Sequence, residues 1–409
     1  MTPQDPTLRR GDNGVKDSEI PKYVRKLKRF LGHEALAKAQ ADLDKDLSHH
    51  GDCYRQWAQM LRPWLFAFRL YDQKINNGIC IPKQWLSAIR ELVGDARMIS
   101  VLHRGIPENV RAKYRKDLLL VQHNDFMVEI DAAWYYHLEG YNVQWYPLGQ
   151  DKVPEFRVRG GGLDFDVECR RFGWDMRERV KTPAIADTCD MIYDVILAHG
   201  FRGEVRVEFS DNFRFDPGRR SQWSKTLADA LIATLTTPQL DPGVQLTLTL
   251  EPSPSPKYTL EELVDLARDK KRSESSFLRY KREGESGLDP VVFRCCRPRK
   301  TPEELLDYIY KTLKEKVSTQ LSGARAVVAI AHFSGIYDPN VFNDSEGMQN
   351  VLRKLFKRRY LAAIILKCHD LTETRATDIL LSTPAIVFRN PETDFPLVSA
   401  AQHLTQPIG

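Results

Sequence analysis

The stretch PEFRVRGGGLDFDVECRR, residues 154–171, constrains the fold more than any other part of this chain. Two segments of alternating apolar and polar residues meet at Gly160, Gly161 and Gly162. A period of two is typical of β-strands, and glycines between two such segments are typical of a tight turn. The sequence therefore predicts a hairpin of two strands, residues 152–159 and 163–170.

Alternation in the second strand of this hairpin gives its two faces opposite characters. One face carries Phe165, Val167 and Cys169, and the other carries Asp164, Asp166, Glu168 and Arg170. Three carboxylates on one strand face are costly to bury without partners. A divalent cation would neutralise them, and Mg²⁺ is typically held by one or two carboxylates together with water and substrate phosphate.

Regular patterns also flank the hairpin. The apolar spacing of residues 123–139 predicts an amphipathic helix, and a short strand is expected at 141–146. A second helix is predicted at 184–198, followed by a strand at 204–209. The predicted order is therefore helix, three strands, helix and strand. Glu129 lies at the edge of the apolar stripe of the first helix, where it can point towards the sheet.

The patterns divide the chain into segments of different texture, and the predicted fold class is mixed α/β (α+β). The PSPSP stretch within 251–257 is typical of a linker. The predicted organisation is a flexible tail, a helical region, an α/β core, the linker and a C-terminal α/β domain, at 1–20, 21–118, 119–250, 251–257 and 258–409. Further strands are predicted at 291–295, 326–332, 362–367 and 385–388.

Composition excludes several classes of protein. A membrane helix needs about 20 apolar residues, whereas the longest apolar runs here are AVVAIA at 326–331 and LAAIIL at 361–366. The polar start of the sequence does not resemble a signal peptide. The seven cysteines are scattered and form no CxxC pair, which is typical of reduced thiols. We therefore expect a cytoplasmic protein with no membrane partner.

Three acidic residues and one basic residue together resemble the signature of the PD-(D/E)XK nuclease superfamily. The matching residues are Pro154-Glu155, then Glu168-Cys169-Arg170 on the next strand, preceded by Glu129 on a helix. The order helix, three strands, helix and strand is also similar to that family's restriction-endonuclease-like αβββαβ core. The resemblance covers residues 119–250, about a third of the chain.

This resemblance implies a metal-dependent nuclease that hydrolyses phosphodiester bonds, with DNA as the expected substrate. Glu155 and Glu168 would hold Mg²⁺ or Mn²⁺, and Glu129 would complete the outer coordination or orient the attacking water. Arg170 would stabilise the phosphate in the transition state. Arg170 stands where the family has lysine, and a guanidinium cannot act as a general base.

Two alternatives stay open at this point. The chain could be a catalytically inactive nuclease-fold protein that acts as a nucleic-acid-binding or scaffold module. The charges could also form a structural ion-pair ladder across the sheet. Basic segments at 22–29, 268–300 and 353–359 could contact nucleic acid, although basic runs are more often solvated helix faces. The sequence leaves a homo-oligomer open, since it identifies no interface.

Overall fold

A computed structural model gives the fold. It describes residues 17–77, 83–120, 123–147, 153–233, 235–252, 274–279, 291–319, 323–334, 336, 342, 345–368, 371–374, 379–382 and 385–401. The chain forms two compact units. The first unit comprises Met1–Ala41, Leu61–Trp174 and Pro302–Gly409, and the second comprises Asp42–Met60 and Asp175–Thr301.

The helices dominate the chain up to the first strand and then alternate with strands. In chain order they are α1 (Ile20–Leu31), α2 (His33–Ser48), α3 (Asp52–Leu61), α4 (Pro63–Asn77), α5 (Lys83–Leu102), α6 (Glu108–Asp117), α7 (His123–Leu138), α8 (Thr182–Ala198), α9 (Arg220–Ile232), α10 (Pro302–Thr319), α11 (Glu346–Phe356) and α12 (Pro396–Ala400). α1 illustrates the cause, because it buries Val24, Leu27 and Leu31 at helical spacing. Between Ile20 and Asp117, the regular elements that the structure describes are all helices.

The strands are β1 (Asn142–Trp145), β2 (Phe156–Gly160), β3 (Leu163–Phe172), β4 (Phe201–Phe209), β5 (Gln239–Asp241), β6 (Val244–Pro252), β7 (Glu274–Arg279), β8 (Val291–Cys296), β9 (Ala326–Phe333), β10 (Leu361–Cys368), β11 (Leu371–Thr374), β12 (Ile379–Ser382) and β13 (Ala385–Arg389). The strands predicted above are present within about four residues of their predicted bounds, whereas β5, β7, β11 and β12 were not predicted. The mixed α/β class is thus confirmed. No helix in the described ranges is both long enough and apolar enough to span a membrane.

The first unit contains a six-stranded sheet with the order β1-β2-β3-β9-β10-β13. The β1–β2 and β2–β3 pairs are antiparallel, β3, β9 and β10 run parallel, and β13 is antiparallel to β10. Gly160, Gly161 and Gly162 turn the chain between β2 and β3 with φ of 149°, 55° and 79°. These angles are readily accessible to glycine alone, which explains the three consecutive glycines.

Helices cover both faces of this sheet around β3. On one face Tyr136 of α7 packs edge-on against Phe165, and we name it the α7 face. On the other, Tyr308 of α10 packs against Phe172, and we name it the α10 face. The alternation of β3 therefore assigns odd-numbered residues to the α7 face and even-numbered residues to the α10 face.

The second unit contains a five-stranded sheet with the order β5-β6-β4-β8-β7. Val205 and Val207 of β4 are buried together with Ile185 and Cys189 of α8. Gly203 lies where β4 and β6 approach closely, with φ of 128°; a Cβ atom there would be 2.3 Å from the carbonyl oxygen of Thr249. This position therefore requires glycine.

The pairing of strands corrects two expectations about the core. The helix predicted at 184–198 and the strand predicted at 204–209 are α8 and β4, which belong to the second unit and its separate sheet. The strand that pairs with β3 in parallel is β9, and the helix that precedes it in the chain is α10. Residues 258–409 are therefore not a separate C-terminal domain, because β9, β10 and β13 complete the sheet of β1, β2 and β3.

The physical reason is that local periodicity identifies a strand but not its neighbour, which long-range packing selects. The predicted linker at 251–257 begins inside β6, which extends to Pro252, and residues 253–257 lie outside the described residues. Residues 1–16 of the predicted tail also lie outside them, and α1 begins at Ile20.

Candidate active site

The β2–β3 ladder ends at the pair Phe156 and Val167, and the two candidate metal ligands lie directly beyond this pair. Glu155 precedes Phe156, and Glu168 follows Val167. The backbone N–H of Cys169 donates to Oε2 of Glu155 over 3.0 Å. The Glu155 carboxylate thus replaces the ladder bond that another strand residue would have made. This contact holds Glu155 next to Glu168 at the end of the hairpin.

A lysine from another part of the chain contacts both carboxylates. Nζ of Lys316, on α10, is 3.3 Å from Oε1 of Glu168 and 4.0 Å from Oε1 of Glu155. Glu168 is only 2% exposed. Burial raises the pKa of Glu168 well above its usual range and the nearby Glu155 carboxylate raises it further, while Lys316 opposes the rise. The site therefore holds more negative charge than its neighbouring cation readily stabilises.

Glu129 joins the same electrostatic cluster from α7. The hydroxyl of Tyr114 donates to Oε2 of Glu129, and Nε1 of Trp145 donates to that hydroxyl over 3.2 Å. Burial raises the pKa of Glu129 to about 8; the Glu155 carboxylate adds to the rise, and the bond from Tyr114 opposes it. Glu155 is thus electrostatically coupled to Glu168 on one side and to Glu129 on the other.

Asp164 and Asp166 share the strand face with Glu168 but are held by ion pairs. Asp164 accepts from Nε of Arg157 over 2.6 Å and lies 3.7 Å from Nε of Arg159. Asp166 accepts from the hydroxyl of Tyr146 over 2.6 Å and from Nε of Arg325 over 3.2 Å. Asp164 and Asp166 are therefore held by ion pairs with nearby arginines.

Arg170 lies on the α10 face with Glu168, as the alternation of β3 requires. It is partly buried, and its Nε atom has no hydrogen-bond partner within the described ranges. The cation that contacts the two carboxylates is Lys316 and not Arg170. The motif predicts one basic group at the site. The structure has two, Lys316 beside the carboxylates and Arg170 on β3.

The donor set around Glu155 and Glu168 suits a divalent cation bound through few protein ligands. Oε2 of Glu168 is buried without a hydrogen-bond partner in the described part of the chain, which is costly for a carboxylate oxygen. Two carboxylates plus water and substrate oxygens are a common Mg²⁺ environment. Among the described residues, no group of three or more His, Cys, Asp or Glu side chains is arranged to hold a metal ion.

The basic segments differ in how much of them the structure describes. In α1, Lys28 bonds to Asp72 over 2.7 Å, while Lys22, Arg25, Lys26 and Arg29 are exposed. At 353–359, Arg353, Lys354, Lys357 and Arg359 are exposed. Of the segment at 268–300, residues 268–273 and 280–290 lie outside the described residues. The exposed basic side chains of α1 and of 353–359 form solvated faces that phosphate groups can reach.

Sequence reasoning missed Lys316 and Tyr114. A signal for Lys316 was present, because it falls within the apolar stripe of α10 that buries Ile309, Leu313 and Val317. A lysine within a buried stripe needs an anionic partner.

Comparison of the chain with protein-family models, with curated proteins and with solved structures finds no significant match.

Proposed function

We propose that the first unit is a metal-dependent nuclease that hydrolyses phosphodiester bonds, with DNA as its substrate. The observation that carries the proposal is the contact of Lys316 with Glu155 and Glu168, at 4.0 Å and 3.3 Å. Two adjacent carboxylates and a lysine are the groups that the PD-(D/E)XK signature brings together. In this chain the lysine comes from α10, whereas the strand position holds Arg170.

The order of elements in the sheet supports the same proposal. A helix, three antiparallel strands, a second helix and a parallel strand correspond to α7, β1, β2, β3, α10 and β9. This order resembles the αβββαβ order of a restriction-endonuclease-like core. Residues 175–301 of the second unit are inserted between β3 and α10. The insertion explains why the sequence pattern directly after β3 gave the wrong final helix and strand.

Each residue of the site then has a chemical role. Glu155 and Glu168 would hold Mg²⁺ or Mn²⁺, which supplies positive charge to a phosphoryl oxygen and lowers the pKa of a bound water. Lys316 would donate to a non-bridging oxygen of the substrate phosphate and stabilise the charge that develops there. Unlike Arg170, its ammonium can also transfer a proton. Glu129, held by Tyr114, would accept a hydrogen bond from the attacking water.

A second candidate function is a nuclease-fold module that binds nucleic acid without cleaving it. Arg170 in the strand position favours this alternative, as does the lack of a three-ligand group among the described residues. The two candidates differ in one measurable property. The module would bind DNA in a salt-sensitive manner without metal-dependent cleavage.

The test combines metal binding with cleavage. Mn²⁺ titration calorimetry on the full chain should show saturable binding that is lost in Glu168→Ala and in Glu155→Ala. Mn²⁺-dependent cleavage should be assayed on single-stranded and double-stranded DNA and on RNA of the same sequence. We expect both variants to lose cleavage by more than about 100-fold, above the range for residues that only support metal ligands.

Asp164→Ala is the matched control, because it removes a carboxylate from the same strand face that is already held by Arg157. It should retain metal binding and cleavage. Metal binding without cleavage of any of these nucleic acids would favour the non-catalytic module. Cleavage that survives in both Glu168→Ala and Glu155→Ala would contradict the proposed site.

A further inference from the structure

Three basic side chains form a row across three adjacent strands of the sheet. Arg171 of β3 is the register partner of His332 of β9, and His332 is the register partner of Lys367 of β10. Neighbouring strands lie about 4.8 Å apart, so the row spans roughly 10 Å. Because β3, β9 and β10 are parallel, the three residues lie together near the carboxyl ends of these strands.

Independent contacts place the row on the α7 face. Nε of Arg171 donates over 3.0 Å to the hydroxyl of Ser334, which is two residues after His332 and therefore on the same face. Lys367 is the register partner of His332, and register partners on adjacent strands share a face of the sheet. The carboxylates of Glu155 and Glu168 belong to the site around Lys316, so this row is distinct from it.

The row concentrates positive charge at partly buried positions. The side chain of Arg171 is only 9% exposed, and His332 and Lys367 are half-buried. Arg171 and Lys367 carry like charges roughly 10 Å apart, and burial increases the cost of both charges. Asp125 lies 3.3 Å from Nη1 of Arg171, and the Asp125 side chain is 54% exposed. Asp125 belongs to the first turn of α7, whose N-terminal end adds positive potential at the same place.

We propose that Arg171, His332 and Lys367 form a phosphate-binding site at the carboxyl ends of β3, β9 and β10. Arg171 presents a planar fork that matches phosphate oxygens, Lys367 adds a compact positive charge, and the imidazole of His332 can donate one hydrogen bond. Crevices at the carboxyl ends of parallel strands are common ligand sites in α/β sheets. Asp125 would compete with the ligand for Arg171.

The phosphate could belong to a nucleic-acid strand or to a small phosphate ligand. If the proposed function holds, the site would hold a substrate phosphate other than the one attacked. Arg171 lies about 10 Å along β3 from Glu168 and on the opposite face of the sheet. One polynucleotide would therefore have to pass around the carboxyl ends of the strands to reach both sites. This assignment of the source rests on the proposed nuclease function, whereas the binding of phosphate does not.

The experiment measures binding by titration calorimetry on the full chain, in EDTA, so that no metal-dependent cleavage takes place. The probes are inorganic phosphate and a short DNA oligonucleotide. Lys367→Gln should weaken phosphate binding about tenfold, the loss expected for one charge-assisted hydrogen bond. Asp125→Asn should tighten it about twofold to fivefold, because a competing carboxylate is removed. A purely structural role for the row would not give these opposite changes.

Arg159→Gln is the matched control, since it removes one positive charge from the opposite face of the same sheet. It should bind phosphate like the wild type. Loss of oligonucleotide binding in Lys367→Gln would assign the site to a polynucleotide phosphate. An effect on inorganic phosphate alone would assign it to a small ligand.

No binding of either probe by the wild type at about 10 mM would overturn the proposal. Equal affinities of wild type, Lys367→Gln and Asp125→Asn would overturn it as well. Glu168→Ala separates the two hypotheses, because it should abolish cleavage and leave phosphate binding unchanged. Phosphate binding that responds to Lys367→Gln in a protein that cleaves no nucleic acid would retain this site and reject the nuclease.

Discussion

The two halves of the β3 strand face on the α10 side hold similar residues in different surroundings. In the first half, Asp164 and Asp166 are each held by arginine, and Asp166 also accepts from Tyr146. In the second half, Glu168 has one nearby cation, Lys316 at 3.3 Å, and its Oε2 has no hydrogen-bond partner in the described part of the chain. One strand face therefore carries two aspartates in ion pairs with arginines, and next to them a glutamate pair with one nearby lysine.

Under the proposed function, this difference would separate the carboxylates that stabilise the fold from those that take part in the chemistry. Ion pairs with good geometry stabilise their carboxylates in the ionised form, as the lowered pKa of Asp164 beside Arg157 illustrates. Raised pKa values of adjacent buried carboxylates are typical of functional sites, where a ligand supplies the missing charge. We therefore propose a functional role for the half that contains Glu168 and a structural role for the half that contains Asp166.

The largest expected effect separates Lys316 from Arg170. Lys316→Gln should lower the single-turnover cleavage rate about 100-fold to 1,000-fold, the range for loss of one preorganised group that stabilises transition-state charge. Arg170→Gln should have a smaller effect, because Arg170 is not the cation at the two carboxylates. Arg170→Lys should preserve or raise the rate. Circular dichroism would verify that each variant is folded.

Lys316→Arg sharpens this prediction, because arginine keeps the charge but cannot transfer a proton. A rate restored by arginine would limit Lys316 to an electrostatic role. A larger loss in Arg170→Gln than in Lys316→Gln would contradict the assignment and return the catalytic role to the strand position.

The second effect concerns stability in the structural half. Asp166→Ala removes the partner of Arg325 and of the Tyr146 hydroxyl, and Asp166 is only 4% exposed. We expect a loss of about 1 to 3 kcal/mol in the free energy of unfolding, since two partly buried polar groups lose their acceptor. Urea unfolding followed by circular dichroism measures this loss. Cleavage per folded molecule should stay at the wild-type level, and a selective loss of cleavage would argue against a purely structural role.

The third effect is a pH dependence of stability from Glu129. Its pKa is about 8 in the folded chain against 4.5 for an ordinary glutamate. The folded state therefore retains a proton that the unfolded state releases, and stability should fall as the pH rises from about 4.5 to about 8. Glu129→Gln stays neutral, so it should remove part of this fall and exceed the wild type in stability at pH 8.

Urea unfolding at pH 5, 6.5 and 8 in EDTA tests this prediction. Glu168 contributes a fall of the same sign, so the informative quantity is the difference between the two proteins. That difference should grow with pH and level off above pH 8. A difference that stays constant with pH would show that Glu129 is not the group that titrates.

Much of the β2–β3 hairpin and of the site around it could be predicted from local patterns. Period-two alternation and three glycines define the hairpin, and the hairpin makes Glu155 and Glu168 cross-strand neighbours. Helical spacing also predicts that Glu129 lies at the edge of the apolar stripe of its helix. In the structure, Glu129 accepts a hydrogen bond from Tyr114. Such features depend on residues close in sequence, where hydrophobic periodicity is informative.

The strand beside β3 could not be assigned in the same way, because residues 175–301 intervene. The patterns nevertheless differ between the two candidates. β4 alternates Val205 and Val207 with charged residues, as expected for a sheet with one polar face. β9 reads AVVAIAHF and is apolar on both faces, as expected for a central parallel strand. A prediction of Lys316 at the site would have required the same long-range pairing, since α10 is the helix that precedes β9.

The smallest expected effect is the loss of Asp164, whose side chain is 46% exposed. Arg157 holds the pKa of Asp164 below its ordinary 3.8, so the pair contributes stability above that pH and loses it as the pH falls through the folded-state pKa. Asp164→Ala should therefore cost less than about 1 kcal/mol at pH 7, with the cost fading in acid. Urea unfolding at pH 7 and pH 3 would measure both values. A variant that kept its stability but lost cleavage would extend the site along the whole strand face, and the contrast between the two halves of β3 would no longer hold.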